Sequence, residues 1–358
     1  MHTFEIPAAG PAVSKLPTDL NDLTDSYAAD PRAQRARNWA QARLGLQTVD
    51  FAPASADASF RRYFRISDPQ DPLRSWIVMD APPAHEDLRP FIAVGELLQN
   101  AGVHVPKVEA CDLAAGFLLL DDLGASTYLD IISEHNADAL FEDAIAALVA
   151  WQRSSRPDVL PPYDAALLQR ELNLFPDWYL ATHLGLQLDA ADRAVLETVF
   201  AALIANALQQ PRVFVHRDYM PRNLMAAIPN PGVLDFQDAV YGPLAYDPIC
   251  LFKDAFLSWP AERVEAWLGR YHTAATAAGI AVPEWTQFRR DCDWIGLHRH
   301  LKVLGIFARI NYRDGKSKYL ADTPRFVRYV MEVAPLYAEL MPLAALFEKH
   351  VLPRAYSV

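Results

Sequence analysis

Between residues 213 and 238 a chain otherwise patterned for helix changes its period. Three short apolar runs, Val213-Phe214-Val215, Leu224–Ala227 and Gly232–Phe236, alternate with polar turns. Runs this short, bounded by Pro, Asn, Asp and Gly, read as strands. The polar stretch after the first run is His216-Arg217-Asp218-Tyr219-Met220-Pro221-Arg222-Asn223, and a second carboxylate, Asp235, returns twelve residues after Asn223. The fold must therefore carry a β insert among helices and hold several polar side chains near buried apolar backbone. Such groups are costly to bury unless hydrogen-bonded or used.

The remaining sequence arranges itself on either side of a change near Leu123-Gly124. Residues 30–45 read as a short helix closed by Gly45 at its C-terminus. Strand-like runs follow at Gln47–Phe51, Arg61–Ile66 and Ser75–Asp80, which predicts an antiparallel meander. A helix is expected over Glu86–Asn100, then strands at Lys107–Asp112 and Phe117–Leu120. Beyond that point helical spacing prevails at Ala139–Arg153, Asp192–Gln209, Ala261–Ala278, Leu297–Ile310 and Pro324–Glu348. Pro7, Pro11 and Pro17 mark residues 1–28 as an extended arm. The expected organisation is a β-rich lobe over 29–120, a connector at 121–127 and a helical lobe over 128–358.

Composition narrows the function. With 44 Asp+Glu against 33 Lys+Arg the formal charge is −11, which argues against nucleic acid as the main partner, since phosphate neutralisation needs a cationic face. Three well-separated cysteines offer no zinc spacing and no disulfide framework. No apolar run reaches the roughly 20 residues of a membrane span, and no signal peptide is visible. These features lead to the expectation of a cytoplasmic protein without membrane or nucleic-acid partners, acting as a monomer or weak dimer.

Phosphoryl transfer accounts for the spacing in the polar loop. One carboxylate, Asp218, orients a hydroxyl and accepts its proton; an amide oxygen five residues on, Asn223, reaches a metal; and Asp235 holds the metal that bridges nucleotide phosphates. His216 is expected to brace the loop, Asp247 to accept hydrogen bonds from it, and Asp238 to be a further acceptor or substrate contact. Gly315-Lys316-Ser317 imitates the end of a phosphate-binding P-loop, but the glycine that motif requires five residues earlier is Ile310 and no strand precedes it.

His216-Arg217-Asp218-Tyr219 with Arg222-Asn223, followed by Leu234-Asp235-Phe236-Gln237-Asp238, closely resembles the catalytic segment of the protein-kinase-like superfamily, in particular its aminoglycoside phosphotransferase family. The resemblance covers most of residues 45–350. It implies an α+β, two-lobed protein-kinase-like fold with an active site in the cleft between lobes, and ATP with Mg2+ as donor. Within the family, Ala58–Arg65, Val78–Pro83, Arg170–Tyr179 and Arg299–Arg309 are similar to bacterial kinases that phosphorylate the anomeric hydroxyl of N-acetylmuramate or N-acetylglucosamine during cell-wall recycling. A sugar acceptor is the partner so implied. Other small-molecule phosphotransferases, and a kinase-shaped module without activity, are the competing expectations.

Two departures from the superfamily pattern stand out. No glycine occurs between Gly45 and Gly95, so no Gly-rich loop covers the phosphates, and Met79 stands on the third strand where a lysine would. The turn Ser59-Phe60-Arg61-Arg62 is expected to reach the phosphates instead, with Arg61 or Arg62 replacing the missing cation, and Asp121 and Leu123 to meet the adenine edge. For the acceptor, Glu171, Asn173 and Trp178 lie off the apolar stripe Leu168, Leu172, Phe175, Tyr179 and suit a sugar. Residues 289–318 carry eight Lys/Arg and three Asp; Arg299 and His300 in this run are expected to line an anion-facing wall, with a solvated helix face as the alternative.

Overall fold

The computed structural model describes residues 30–55 and 60–355; the expected arm over 1–28 and Ser59 lie outside them. Two compact units emerge, one made of 30–151 and 221–238, the other of 152–220 and 239–355. The hairpin of Leu224–Met225 and Gly232–Val233 belongs to the sheet-bearing unit. Its backbone is tied there. Thr127 bridges Met225, Ala226 N donates to Ser126 O at 2.9 Å, and Val233 N donates to His104 O at 2.7 Å.

In the first unit helix α1 (Pro31–Leu44) starts on an Asp30 cap, with Pro at its first turn, and stops at Gly45 in the left-handed conformation, φ 67°. Strands β1 (Asp50–Ser55), β2 (Arg62–Asp68) and β3 (Asp71–Asp80) form the predicted antiparallel meander. After helix α2 (Arg89–Asn100), β4 (Val108–Asp112) and β5 (Phe117–Asp121) complete a sheet ordered β1-β2-β3-β5-β4. One face of it, with Phe64, Ile66, Val78, Phe117 and Leu119, packs on the small side chains Ala33, Ala36 and Ala40 of α1. Because side chains alternate along a strand, Tyr63, Arg65, Ile77 and Met79 occupy the opposite face.

The second unit is built around one long helix, Trp285–Asp314. It is longer than the expected Leu297–Ile310 because its charged positions, which broke the apolar pattern, are themselves buried. Gly315 closes it in the left-handed region, φ 69°, so the Gly-Lys-Ser triplet is a helix stop. Helix Ala165–Leu172 leads into a π-helical stretch, Phe175–His183, that packs against the long helix where Gly305 meets residue 174. The apolar stripe is buried as expected: Leu168, Leu172, Phe175 and Tyr179 have no exposed surface. Strand Arg212–Val215 pairs with Val240–Pro243. The second of these escaped the sequence reading because Gly242 and Pro243 look like turn residues. The expected helix over Pro324–Glu348 is interrupted: Thr323–Val333 and Met341–Leu346 are separate helices.

Candidate active site

In the first unit the exposed face of the sheet borders a cavity of about 330 Å3. Ile77 and Leu120, paired across β3 and β5, form an apolar floor, with Phe91 and Leu234 alongside. Asp121, Asp122 and Leu123 line one edge, and Asn223 and Asp235 another. An apolar slot with a few polar groups at its rim is the usual form of a small-molecule pocket. Asp235 has φ 62°, an uncommon conformation for a residue with a side chain, and Asn223 Nδ2 donates to its Oδ2 at 3.4 Å.

Met79 is fully buried on the cavity face of β3, where a lysine would have pointed toward the site. The neighbouring strand carries the cations. Arg65, opposite Ile77, lines the cavity; its Nε and Nη2 donate to the two Asp122 oxygens at 2.6 and 3.0 Å and Nη2 also to Gly124 O at 2.8 Å. Burial raises the Asp122 pKa, but Arg65 and the Ser75 hydroxyl together hold it below its ordinary value. Asp121 is raised by its burial. The sequence reading missed Arg65 and Arg222 as cavity residues. Only strand register could have found the first, since it places Arg65 beside Ile77.

The same alternation separates Arg61 from Arg62. Arg62 points to the α1 side, where it pairs with Asp30 and Asp80, and Arg32 shares Asp80 at 2.7 Å. Arg61 lies toward the cavity face, 3.5 Å from Glu86. Burial works against its charge, yet Tyr63, Glu86, Asp235 and Asp238 raise its pKa. Phe60 is exposed and stacks on His85 at 4.5 Å. Asp238 is exposed and accepts from Gln237 at 3.4 Å.

In the second unit the strand Arg212–Val215 delivers His216, Arg217 and Asp218. Asp247, at the start of helix Tyr246–Phe252, has no exposed surface and accepts from His216 N at 2.7 Å and Arg217 N at 3.0 Å. Burial pushes its carboxyl up to about 7, against those two donors. Asp218 N donates to His216 Nδ1 at 3.3 Å, and Tyr219 meets the His216 ring edge-on. Gln152, Tyr271 and Leu244 continue the buried polar packing behind the loop.

Of the six residues expected to meet the acceptor, Asp238 belongs to the first unit, and the five of the second unit are not brought together on one surface. Glu171, expected to lie off the apolar stripe and meet the sugar, is 4% exposed. Tyr163 and Arg217 donate to it, and Lys302 Nζ lies 2.9 Å away. Burial opposes its ionisation, but Lys302, Arg217 and His298 outweigh that and hold the carboxyl at about 2. Asn173 is exposed and accepts from Gln169 at 2.8 Å, and Trp178 is half-buried. Glu171 and Asn173 are two residues apart, so they already face different sides of the helix. Arg299 is buried and donates to Lys253 O at 3.1 Å; its charge is favoured by Cys250, Tyr246, Asp254 and Asp218 despite burial. His300 is buried among Phe326 and Tyr329 and its pKa is depressed by that burial. The basic run is divided: Arg299 and Lys302 at its centre are buried, whereas Arg313, Lys316 and Lys318 at its end are exposed.

Comparison with known proteins agrees with this architecture. A protein of Pseudomonas aeruginosa named N-acetylmuramate/N-acetylglucosamine kinase is 55% identical over 312 residues, spanning 87% of this chain and 90% of its own length. One of the same name from Neisseria meningitidis is 44% identical over 320 residues, spanning 88% and 95%. Among solved structures, Plasmodium vivax ethanolamine kinase superposes with a TM-score of 0.60 at 9% identity, covering 86% of this chain and 93% of that one. The ADP-bound aminoglycoside phosphotransferase APH(2'')-Ib superposes with a TM-score of 0.56 at 13% identity, covering 82% and 97%. At such identities the likeness is one of fold. Residues 50–289 match the phosphotransferase enzyme family, and the chain belongs to that family.

Proposed function

We propose that this phosphotransferase uses ATP to phosphorylate the anomeric hydroxyl of N-acetylmuramate, N-acetylglucosamine or both, as a cytoplasmic step in the re-use of cell-wall sugars. The observation that carries the substrate class is the 55% identity, over nearly the whole of both chains, to a relative named for those two sugars. The cavity of the first unit is the nucleotide site in this reading. Ile77 and Leu120 take the base, and the Asp121–Leu123 backbone meets its edge.

Arg61 is the cation for the phosphates. It stands on the cavity face and near Asp235, whereas Arg62 is held on the far face by Asp30 and Asp80. Asn223 and Asp235 suit Mg2+. Both offer hard oxygen, and among the described residues no group of three or more His, Cys, Asp or Glu could hold a metal alone. That agrees with an ion that takes its other ligands from phosphates and water. When bound, Mg2+ neutralises charge on the transferring phosphoryl group.

Asp218 orients the sugar hydroxyl and accepts its proton as the sugar oxygen bonds to the γ-phosphorus and the bond to ADP breaks. His216 and Asp247 hold the loop: the two backbone donors on Asp247 fix residues 216 and 217, and His216 accepts from the Asp218 amide. Catalysis of this kind is mainly positioning and charge neutralisation. The test is ADP release on a panel of N-acetylglucosamine, N-acetylmuramate, glucose and kanamycin, with phosphorus NMR on the product. A phosphate coupled to the anomeric proton supports the reading; a 3- or 6-phosphate, or turnover on kanamycin alone, removes it.

A further inference from the structure

The second unit buries more charge than the base and its backbone donors require. Glu171 gives one carboxylate oxygen to the Tyr163 hydroxyl and the other to both Arg217 Nη2 and Lys302 Nζ. Lys302, 8% exposed, is held again by Tyr246, its Nζ donating to that hydroxyl at 3.1 Å. Tyr163 is kept in place by its own backbone, with N donating to Tyr241 O at 2.9 Å, and by Gly242, where an added Cβ would lie 2.6 Å from the Tyr163 Cβ. The cluster is thus framed on several sides by segments far apart in sequence.

Arg217 precedes Asp218 and has φ 76°. A long side chain in the left-handed region costs energy and persists only where its surroundings over-determine it. Here they do. Arg217 N donates to Asp247 Oδ1 at 3.0 Å, its carbonyl accepts from the Cys250 thiol at 3.5 Å, and its guanidinium lies 5.7 Å from the Tyr163 ring centre and ends on Glu171. The backbone angle at 217 sets the direction in which the next side chain leaves the chain. A buried pair contributes little to stability compared with apolar packing, and is better explained by what it orients.

The geometry points to Glu171 as a positioning residue: by anchoring the Arg217 guanidinium, with Lys302 as its second counter-charge, it holds the left-handed turn that aims Asp218. It acts through Arg217 and touches neither the sugar nor the nucleotide. The inference rests on Asp218 being the base.

The experiment is Glu171→Gln in the full chain, with kcat and KM for both substrates referred to the folded fraction. Misalignment of a reacting group by about 1 Å costs on the order of a hundredfold. The expected result is a kcat ten- to a hundredfold lower with both KM values within about twofold. A kcat within about twofold of wild type overturns it, as does a loss carried by KM. Combining Glu171→Gln with Asp218→Asn should add nothing to the loss from Asp218→Asn alone; a multiplied loss means Glu171 acts elsewhere and also overturns it. Wild-type turnover by Asp218→Asn alone would instead remove the base assignment, while the Glu171→Gln kcat is read separately. Should Glu171→Gln fail to fold, Arg217→Ala removes the guanidinium anchor, keeps the strained left-handed backbone and leaves Glu171 paired with Lys302. The same fall in kcat is expected there, and wild-type kcat with alanine at 217 overturns the inference.

Discussion

The Arg65–Asp122 pair of the first unit and the Glu171–Arg217–Lys302 cluster of the second join the same chemical groups in different surroundings. Arg65 is partly exposed beside an open cavity, and its partner sits at the cavity rim. Glu171 is closed from solvent and serves three side chains at once. Water reaches Arg65 but hardly Asp122, whose side chain is 5% exposed; the cation can turn to a ligand while the Ser75 hydroxyl and Gly124 N still serve the carboxylate. The second has no such exchange available; losing one member leaves a bare charge in a low-dielectric interior. One arrangement accommodates, the other constrains, which suits a pocket in one unit and a base-bearing loop in the other.

The comparison can be pressed hardest at the base. Asp218→Asn should lower kcat by on the order of a thousandfold or more, as expected for loss of a general base in phosphoryl transfer, while nucleotide binding measured by calorimetry stays within about twofold. Appreciable turnover would show that the loop does not need this carboxylate. Next in size are the two charge clusters. Lys302→Met should cost about 3 kcal/mol in urea unfolding, and Arg65→Met less, since the Ser75 hydroxyl and Gly124 N still donate to Asp122. Equal losses would erase the distinction between them.

The two faces of β2 offer a finer contrast. Arg61→Met should raise the nucleotide KM about tenfold or more, the value of a charge-assisted phosphate contact, and barely move the unfolding midpoint. Arg62→Met should do the opposite, because Arg62 pairs with Asp30 and Asp80 on the α1 side. A KM effect confined to Arg62→Met would mean the strand alternation was misapplied. The last contrast is in pH. The Asp247 carboxyl is raised by burial to about 7, so the folded state keeps a proton that the unfolded chain has lost. The associated stability is present below about 4 and falls as pH rises through 7. Asp247→Asn should flatten urea midpoints across this window, and an unchanged slope would assign the decline to other groups.

Part of this was legible without coordinates. Asp218, Asn223 and Asp235 stand out because the loop and hairpin that carry the proposed base and metal ligands are local in sequence, and the meander is legible because strands separated by Pro, Ser and Asp pair with their neighbours. The placement of β5 between β3 and β4 is a choice of pairing that alternation alone does not encode. Glu171 was misjudged because its charge argued for the rim of the helix, although at three residues from Leu168 it shares the buried face with Leu168 and Leu172. Lys302 reads as an interruption of helical pattern until the carboxylate that neutralises it is known. Buried charge pairs of this kind hide from sequence because each member alone argues for solvent.

Gly305 carries a consequence for anyone wishing to transplant this loop. A Cβ there would lie 2.3 Å from the Leu174 carbonyl carbon and oxygen, a distance only backbone displacement can relieve. Leu174 comes three residues after Glu171, and Gly305 three residues after Lys302, so the glycine fixes the gap one turn beyond the ion pair. The ion pair and the missing side chain form one inheritable gauge. A graft that carries Asp218, Arg217 and Glu171 into another scaffold but crosses them with a helix lacking this glycine would import the chemistry without the spacing that makes it work.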